Sequence, residues 1–364
     1  AAVPCGKKLR KIMIFRESFG LPEKNACSKL TLTFQTKGDD TMKKILKIGT
    51  LEARAGEKVH GFYSVAGTDL TIPVTLINGS GEGKVLLLTA GVHPDEYPGI
   101  AAAIQLSQEL QPEEIHGGVV IVPMTNYSGF QAKKGSHIPA DGKNLNRLFP
   151  GDPNGTEGDR LAWAITQDFH SVCDYNIDLH SGGIDEEMKP LIFFSVMGGP
   201  EIEETSRQMA LACSVSYIVR STATNGEYSS AVLHGLPSFL LERGGNGFWS
   251  QEETDADKRD VRAVLKTLGI LNGEVAPAPK PVEISVTKYY ESDDTGCWYP
   301  CFRPGDLVKK GELLGEIRNH QDEVLSRYYA EFNGVVLYQT SSLAILKNKA
   351  LVAFGQLDEN QISF

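Results

Sequence analysis

From residue 58 onward the chain alternates short apolar runs with longer segments whose apolar residues recur at helical spacing. That alternation predicts an α/β domain with a mostly parallel mixed sheet flanked by helices. Lys84 to Ala90 is continuously apolar in its centre, as a strand buried on both faces requires. Ile100 to Leu110 has helical spacing and stops near Pro112. Further strands are expected at Val119 to Met124, Tyr175 to Leu179, Ile192 to Val196, Tyr217 to Arg220 and Ser238 to Glu242. Helices are expected at Asp159 to Val172, Glu201 to Cys213 and Asp255 to Leu271.

Two stretches break this rhythm. Val275 to Pro281 carries three prolines in five residues and reads as an extended linker. Beyond it, short strands and tight turns predict a small all-β domain. Residues 1–41 show little periodicity, and Met42-Lys43-Lys44-Ile45 reads like a natural start, so the first 41 residues are expected to be an extension. The competing reading is an added strand from Leu30 to Gln35. The expected division is therefore 1–41, a main domain over 42–275, and linker plus β domain over 276–364.

Composition narrows the function. A net charge of −10 opposes non-specific attraction to nucleic acid or anionic membranes. No apolar run approaches the roughly 18 residues of a membrane span. Arg16 and Glu17 interrupt Ile12 to Phe15, so a signal peptide is not expected and the cytoplasm is the expected compartment. Of the six cysteines only Cys297 and Cys301 lie close together, and no second Cys/His pair accompanies them to complete a metal site. Reduced thiols are expected.

The chemistry concentrates at the ends of expected strands, where open α/β sheets place their ligands. Gly91-Val92-His93-Pro94-Asp95-Glu96 follows the first buried strand directly, and imidazole and carboxylate suit zinc. A loop histidine beside a solvated Glu96 is the competing reading. Ile177-Asp178-Leu179-His180-Ser181-Gly182-Gly183 ends a second strand and offers His180 as a third ligand, with Asp178 placed either to orient it or as a buried structural acid. Two histidines and one glutamate leave a fourth position open, the pattern of catalytic zinc. Glu242 closes the apolar run Pro237 to Leu241 and is the candidate general base, unless it merely pairs with Arg243. Asn146 and Arg147, in Asn144-Leu145-Asn146-Arg147, offer an amide and a planar fork matched to a carboxylate. Tyr228 is a further candidate at the substrate, against a packed surface aromatic. His60, His116, His170, His234 and His320 have no partner at ligand spacing and read as structural or exposed.

These motifs together resemble the succinylglutamate desuccinylase and aspartoacylase branch of the zinc carboxypeptidase superfamily. Ala-Gly-Val-His-Pro-Asp-Glu at 90–96, Asn-Leu-Asn-Arg at 144–147, Asp-Leu-His-Ser-Gly-Gly at 178–183 and Leu-Leu-Glu-Arg-Gly-Gly at 240–245 occur in its order. The match covers roughly residues 58–275. The resemblance implies a zinc carboxypeptidase-like fold holding one zinc per chain at His93, Glu96 and His180. It also implies Glu242 as general base and later acid, with Asn146 and Arg147 on the substrate carboxylate. Relatives usually carry another arginine shortly before the Asn-Arg motif; here Gln131 to Pro139 has none, leaving Lys134 or His137 as the substitute cation or donor. The C-terminal stretch Arg303 to Ile317, with Asn333-Gly334-Val335-Val336, resembles a biotinyl or lipoyl barrel-sandwich domain. Asn319 to Glu323, where a carrier lysine would stand, has none, so a structural or entrance-shaping module is expected.

The expected activity is hydrolysis of the amide bond of an N-acyl amino acid or similar small carboxylate-bearing amide. A zinc carboxypeptidase or cell-wall peptide amidase is the nearest alternative, and a catalytically silent small-molecule-binding protein the different class. A homo-oligomer is compatible with the sequence, and no nucleic acid or membrane partner is expected.

Overall fold

The computed structural model describes residues 45–80, 82–277, 279–358 and 361; the expectations for residues 1–41, including the Leu30 to Gln35 strand, lie outside them. Among the described residues, twenty strands and six α-helices follow one another in mixed order. β1 (Leu46–Ile48) and β2 (Leu51–Ala53) form a small hairpin. The main sheet contains β3 (Glu57–Ser64), β4 (Thr71–Asn78), β5 (Val85–Ala90), β6 (Gly118–Val122), β7 (Tyr175–His180), β9 (Leu191–Ser195), β10 (Tyr217–Ser221), β11 (Ser238–Glu242) and β12 (Val282–Ile284), while β8 (Glu186–Met188) lies apart. Its order is β12-β10-β9-β11-β7-β5-β6-β4-β3.

The centre, β11-β7-β5-β6, is parallel, so the C-terminal ends of β5, β7 and β11 open on one edge. β4 runs antiparallel to β6, and β9 antiparallel to β11. Both sheet faces are covered. Leu86, Leu88, Ile177, Leu179, Phe194 and Phe239 pack with the helices α1 (Tyr97–Glu109), α4 (Pro200–Leu211) and α6 (Gln251–Thr267). The opposite face carries Leu87, Val120 and Val122 against α3 (Glu157–Ala164), with α2 (Tyr127–Ala132) and α5 (Glu227–Leu233) preceding and following it in the chain. Gly99 lets α1 approach closely: a Cβ there would stand 2.7 Å from that of Leu179.

The fold matches the expected mixed α/β class, with local differences. The hairpin β3–β4 and the short α5 escaped the sequence pattern. The helix expected over Asp159 to Val172 is α-helical only to Ala164 and widens into a π turn at Ile165–Phe169, where the His170 amide reaches the Ile165 carbonyl. Phe169 and His170, neighbours in sequence, are both buried at this turn. α6 starts four residues earlier than its apolar spacing suggests, because Ser250 caps it by accepting from the Glu253 amide at 3.2 Å.

After the proline-rich segment the chain adds β12 to the main sheet beside β10 before leaving it. The remaining strands are β13 (Thr287–Glu291), β14 (Gly296–Pro300), β15 (Leu307–Val308), β16 (Leu313–Arg318), β17 (Val324–Tyr329), β18 (Gly334–Thr340), β19 (Ala344–Ile345) and β20 (Ala350–Gln356). They form two antiparallel sheets enclosing Trp298, Ile317, Tyr328, Val336 and Phe354. β8, inserted just after β7, pairs with β18, tying this module to the active edge of the main sheet. Among the described residues, Cys173, Cys213, Cys297 and Cys301 form no disulfide. No helix among the described residues is long and apolar enough to cross a membrane.

Phe194 is fully buried where β9 meets α4. Phe194→Ala is expected to destabilise the fold by about 3–5 kcal/mol, read as a lower denaturation midpoint with an unchanged m-value.

Candidate active site

The site is built on alternation along three parallel strands. On β7 Ile177 and Leu179 face the helical core, which sends Asn176, Asp178 and His180 to the opposite face, and all three are buried. β11 lies in register, pairing Glu242 with His180, so the two side chains emerge side by side. From the end of β5 the chain turns at Gly91, whose φ of +63° favours glycine, and reaches His93 and Glu96 before α1 begins.

Glu96 is the hub. Its Oε1 lies 2.6 Å from His93 Nδ1 and its Oε2 2.8 Å from His180 Nδ1, and the Ser181 amide donates to Oε2 at 3.1 Å. Burial opposes its negative charge, yet His93 and His180 together hold its carboxyl down at about 2. Both imidazoles turn Nδ1 inward. Their outer nitrogens are held by acceptors: His180 Nε2 donates to Asp178 Oδ2 at 3.0 Å and His93 Nε2 to Asn144 Oδ1 at 3.1 Å. Asp178 is fixed in turn by the Thr89 hydroxyl, donating at 2.9 Å. Two imidazole nitrogens and a carboxylate oxygen lie within 4.8 Å of one another, a donor set that fits a divalent ion, and each ring is already oriented by an outer partner.

Glu242 stands beside this cluster with its Oε2 buried and unpartnered. Burial first, then the charges of Glu96, Glu186 and Asp178, push its carboxyl well above the usual range, with His180 opposing them. The competing pairing with Arg243 does not occur. Arg243 points to the other face and pairs with Asp260 and, at 3.2 Å, with Asp257 of α6. Glycines make room around the carboxylates: a Cβ on Gly182 or Gly245 would meet the Glu186 carbonyl at 2.4 and 2.5 Å.

Glu242 lines a cavity of about 530 Å³ together with Asn146, Arg147, Tyr228 and Tyr289. Arg147 has no ion pair among the described residues, and its guanidinium donates to the Asn146 carbonyl at 3.3 Å. Asn146 is buried, and its Oδ1 accepts from the Glu227 amide at 3.0 Å, which leaves its NH2 as the free function. Tyr228 is buried, 6% exposed, rather than a surface aromatic, and its hydroxyl pairs with Ser221 at 2.7 Å. Arg220 contributes to the wall between Val219 and Ser221, but its guanidinium pairs with Glu203 and Glu283.

Of the sequence candidates, His93, Glu96, His180 and Glu242 come together, and Asn146, Arg147 and Tyr228 line the adjoining cavity. Lys134 and His137 are exposed on the loop after α2 and do not line that cavity, and His137 forms a β-bridge with Asn144. The sequence reading missed Asn144, Glu186 and Tyr289. Asn144 lies inside a recognised motif, so its role was within reach. Glu186, whose Oε1 accepts from the Tyr338 hydroxyl at 3.1 Å, and Tyr289, from β13, depend on long-range docking that no local pattern reports.

Residues 82–268 match the succinylglutamate desuccinylase/aspartoacylase catalytic domain. The chain is 30% identical over 327 residues to the N-alpha-acetyl-L-2,4-diaminobutyric acid deacetylase of Halomonas elongata, covering 85% of this chain and 95% of that protein. The product-bound ectoine utilization protein EutE (DoeB) from Ruegeria pomeroyi superposes with a TM-score of 0.77 at 26% identity, over 86% of this chain and 99% of that one. A succinylglutamate desuccinylase/aspartoacylase from Rhodobacter sphaeroides gives a TM-score of 0.75 at 27% identity, over 83% and 96%.

Asn144→Ala removes the acceptor on His93 Nε2 and is expected to weaken metal binding by about 10–100-fold, measured by competition with a chromogenic chelator.

Proposed function

Since the chain belongs to the succinylglutamate desuccinylase/aspartoacylase family, we propose that it is a zinc-dependent hydrolase that deacylates a small N-acyl amino acid. The observation that carries this reading is that Glu242, whose Oε2 has no partner, stands in register beside His180 of the His93-Glu96-His180 cluster and lines one cavity together with Arg147. The deacetylase relative supports an acetyl group as the acyl part and an amino acid as the leaving part.

His93, Glu96 and His180 would hold one ion through Nδ1, a carboxylate oxygen and Nδ1. A bound divalent ion supplies Lewis acidity, lowering the pKa of water and polarising a carbonyl oxygen. Arg147 grips the substrate carboxylate with its fork, and the Asn146 NH2 donates beside it, which sets the scissile amide at the Glu242 end of the cavity. Glu242 takes the proton of the attacking water. Water oxygen bonds to the acyl carbon, the C–N bond breaks, and Glu242 returns the proton to the departing nitrogen. The products are a carboxylate and a free amino acid. The raised pKa of Glu242 suits both halves of that exchange. A cavity of about 530 Å³ has the size of a small-molecule site, which favours an N-acyl amino acid over a peptide. The same reading places the protein in the cytoplasm, with no nucleic acid or membrane partner, and gives Lys134 or His137 the part of a cation or donor toward substrate.

Glu242→Gln is expected to lower kcat by about 10²–10⁴-fold in amine-release assays on N-acetyl amino acids, with metal content unchanged. Because Glu242 acts as a base and its carboxyl is raised, the wild-type kcat/KM should climb with pH through a midpoint above the ordinary 4.5. A rate already flat from pH 4.5 upward would remove Glu242 from the base role. Arg147→Ala should raise KM at least about tenfold, a loss of about 1.4 kcal/mol in binding.

A further inference from the structure

Behind the cavity wall lies a charged group that the deacylation chemistry leaves unused. Glu227 is fully buried, with no exposed surface. A carboxylate in such a place is costly unless its oxygens are satisfied. Here they are: Oε1 lies 2.8 Å from His170 Nε2 and Oε2 accepts from Asn176 Nδ2 at 2.7 Å. His170 is buried as well, just after the π turn, and Asn176 starts the polar stripe on β7 that ends at His180. The side chain of Glu227 therefore bolts the start of α5 to β7.

The backbone of the same residue faces the other way. Its amide donates to Asn146 Oδ1 at 3.0 Å, and the preceding Gly226, at φ +97°, lets the chain pass close: a Cβ there would stand 3.0 Å from that oxygen. The bond fixes which end of the Asn146 amide meets the cavity, since Oδ1 is consumed and the NH2 donor is left. Tyr228, the next residue, enters the cavity wall beside Arg147.

We propose that Glu227 and His170 are positioning residues that fix the cradle for the substrate carboxylate by holding α5, and through it the amide of Asn146. The proposal rests on the deacylase reading for the identity of the ligand. Glu227→Gln tests it, because a carboxamide accepts at one atom only and sets its NH2 against the His170 or Asn176 donor.

The measurement is a double-variant cycle on the full-length, zinc-loaded protein, comparing Glu227→Gln alone and in an Asn146→Ala background, with an N-acetyl amino acid as substrate. The expected result is a KM raised about tenfold by Glu227→Gln, kcat within twofold, metal content unchanged, and little further effect once Asn146 is alanine. His170→Gln, which leaves the Asn176 bond intact, should shift KM in the same direction, and serves if Glu227→Gln does not fold. A folded variant with unaltered KM and only a lowered Tm would overturn the proposal. So would an equal KM effect in both backgrounds. If the wild type releases no amine from any N-acyl amino acid, the deacylase reading fails by itself. The same cycle is then read in the calorimetric Kd of a free amino acid, where the same coupling supports the cradle and its absence overturns it.

Discussion

Three alternate positions on one central strand, Asn176, Asp178 and His180, place polar side chains in a buried interface, and much of the site follows from satisfying them. Each is costly to bury without partners. Asp178 takes a hydroxyl from Thr89 and an N–H from His180; Asn176 gives its amide to Glu227 and Ser238; His180 shares Glu96 with His93. The partners come from β5, β11, α5 and the loop before α1, so satisfying one strand aligns four other segments. The cluster that fits a metal ion is the open end of this network.

The polar stripe is affordable because the other face of β7 is apolar and packed. Ile177 and Leu179 lock the strand against α1 and its neighbours, and register with β11 then delivers Glu242 beside His180 without any loop having to carry it. A carboxylate mounted on a strand keeps its place beside the His93-Glu96-His180 cluster. The cavity-lining groups sit on less regular backbone: Asn146 and Arg147 on a 3₁₀ turn, Tyr228 on a short helix. The C-terminal module adds Tyr289 to the cavity wall and holds Glu186 through Tyr338.

The sequence carried the parts whose cause is local. Continuous apolar runs marked β5, β6 and β11, and His93, Glu96, His180 and Glu242 stood out as polar groups at strand ends. The β3–β4 hairpin escaped because its two strands alternate weakly, with Phe62 exposed and Thr75 buried. The π turn escaped because a single-residue widening leaves no periodic trace. Glu227 and Asn144 lie within or beside recognised segments, but their meaning depends on partners 51 residues away in sequence, His93 for Asn144 and Asn176 for Glu227, which periodicity cannot supply.

The central claim is that one ion at His93, Glu96 and His180 makes this fold a deacylase. The direct measurement is amine release from an N-acetyl amino acid by metal-stripped protein as zinc is added stepwise. The account predicts negligible release at the start and full activity at about one equivalent per chain, with no gain beyond it. Full activity in the stripped protein, or a titration that binds zinc equally well after His180→Ala, would contradict it.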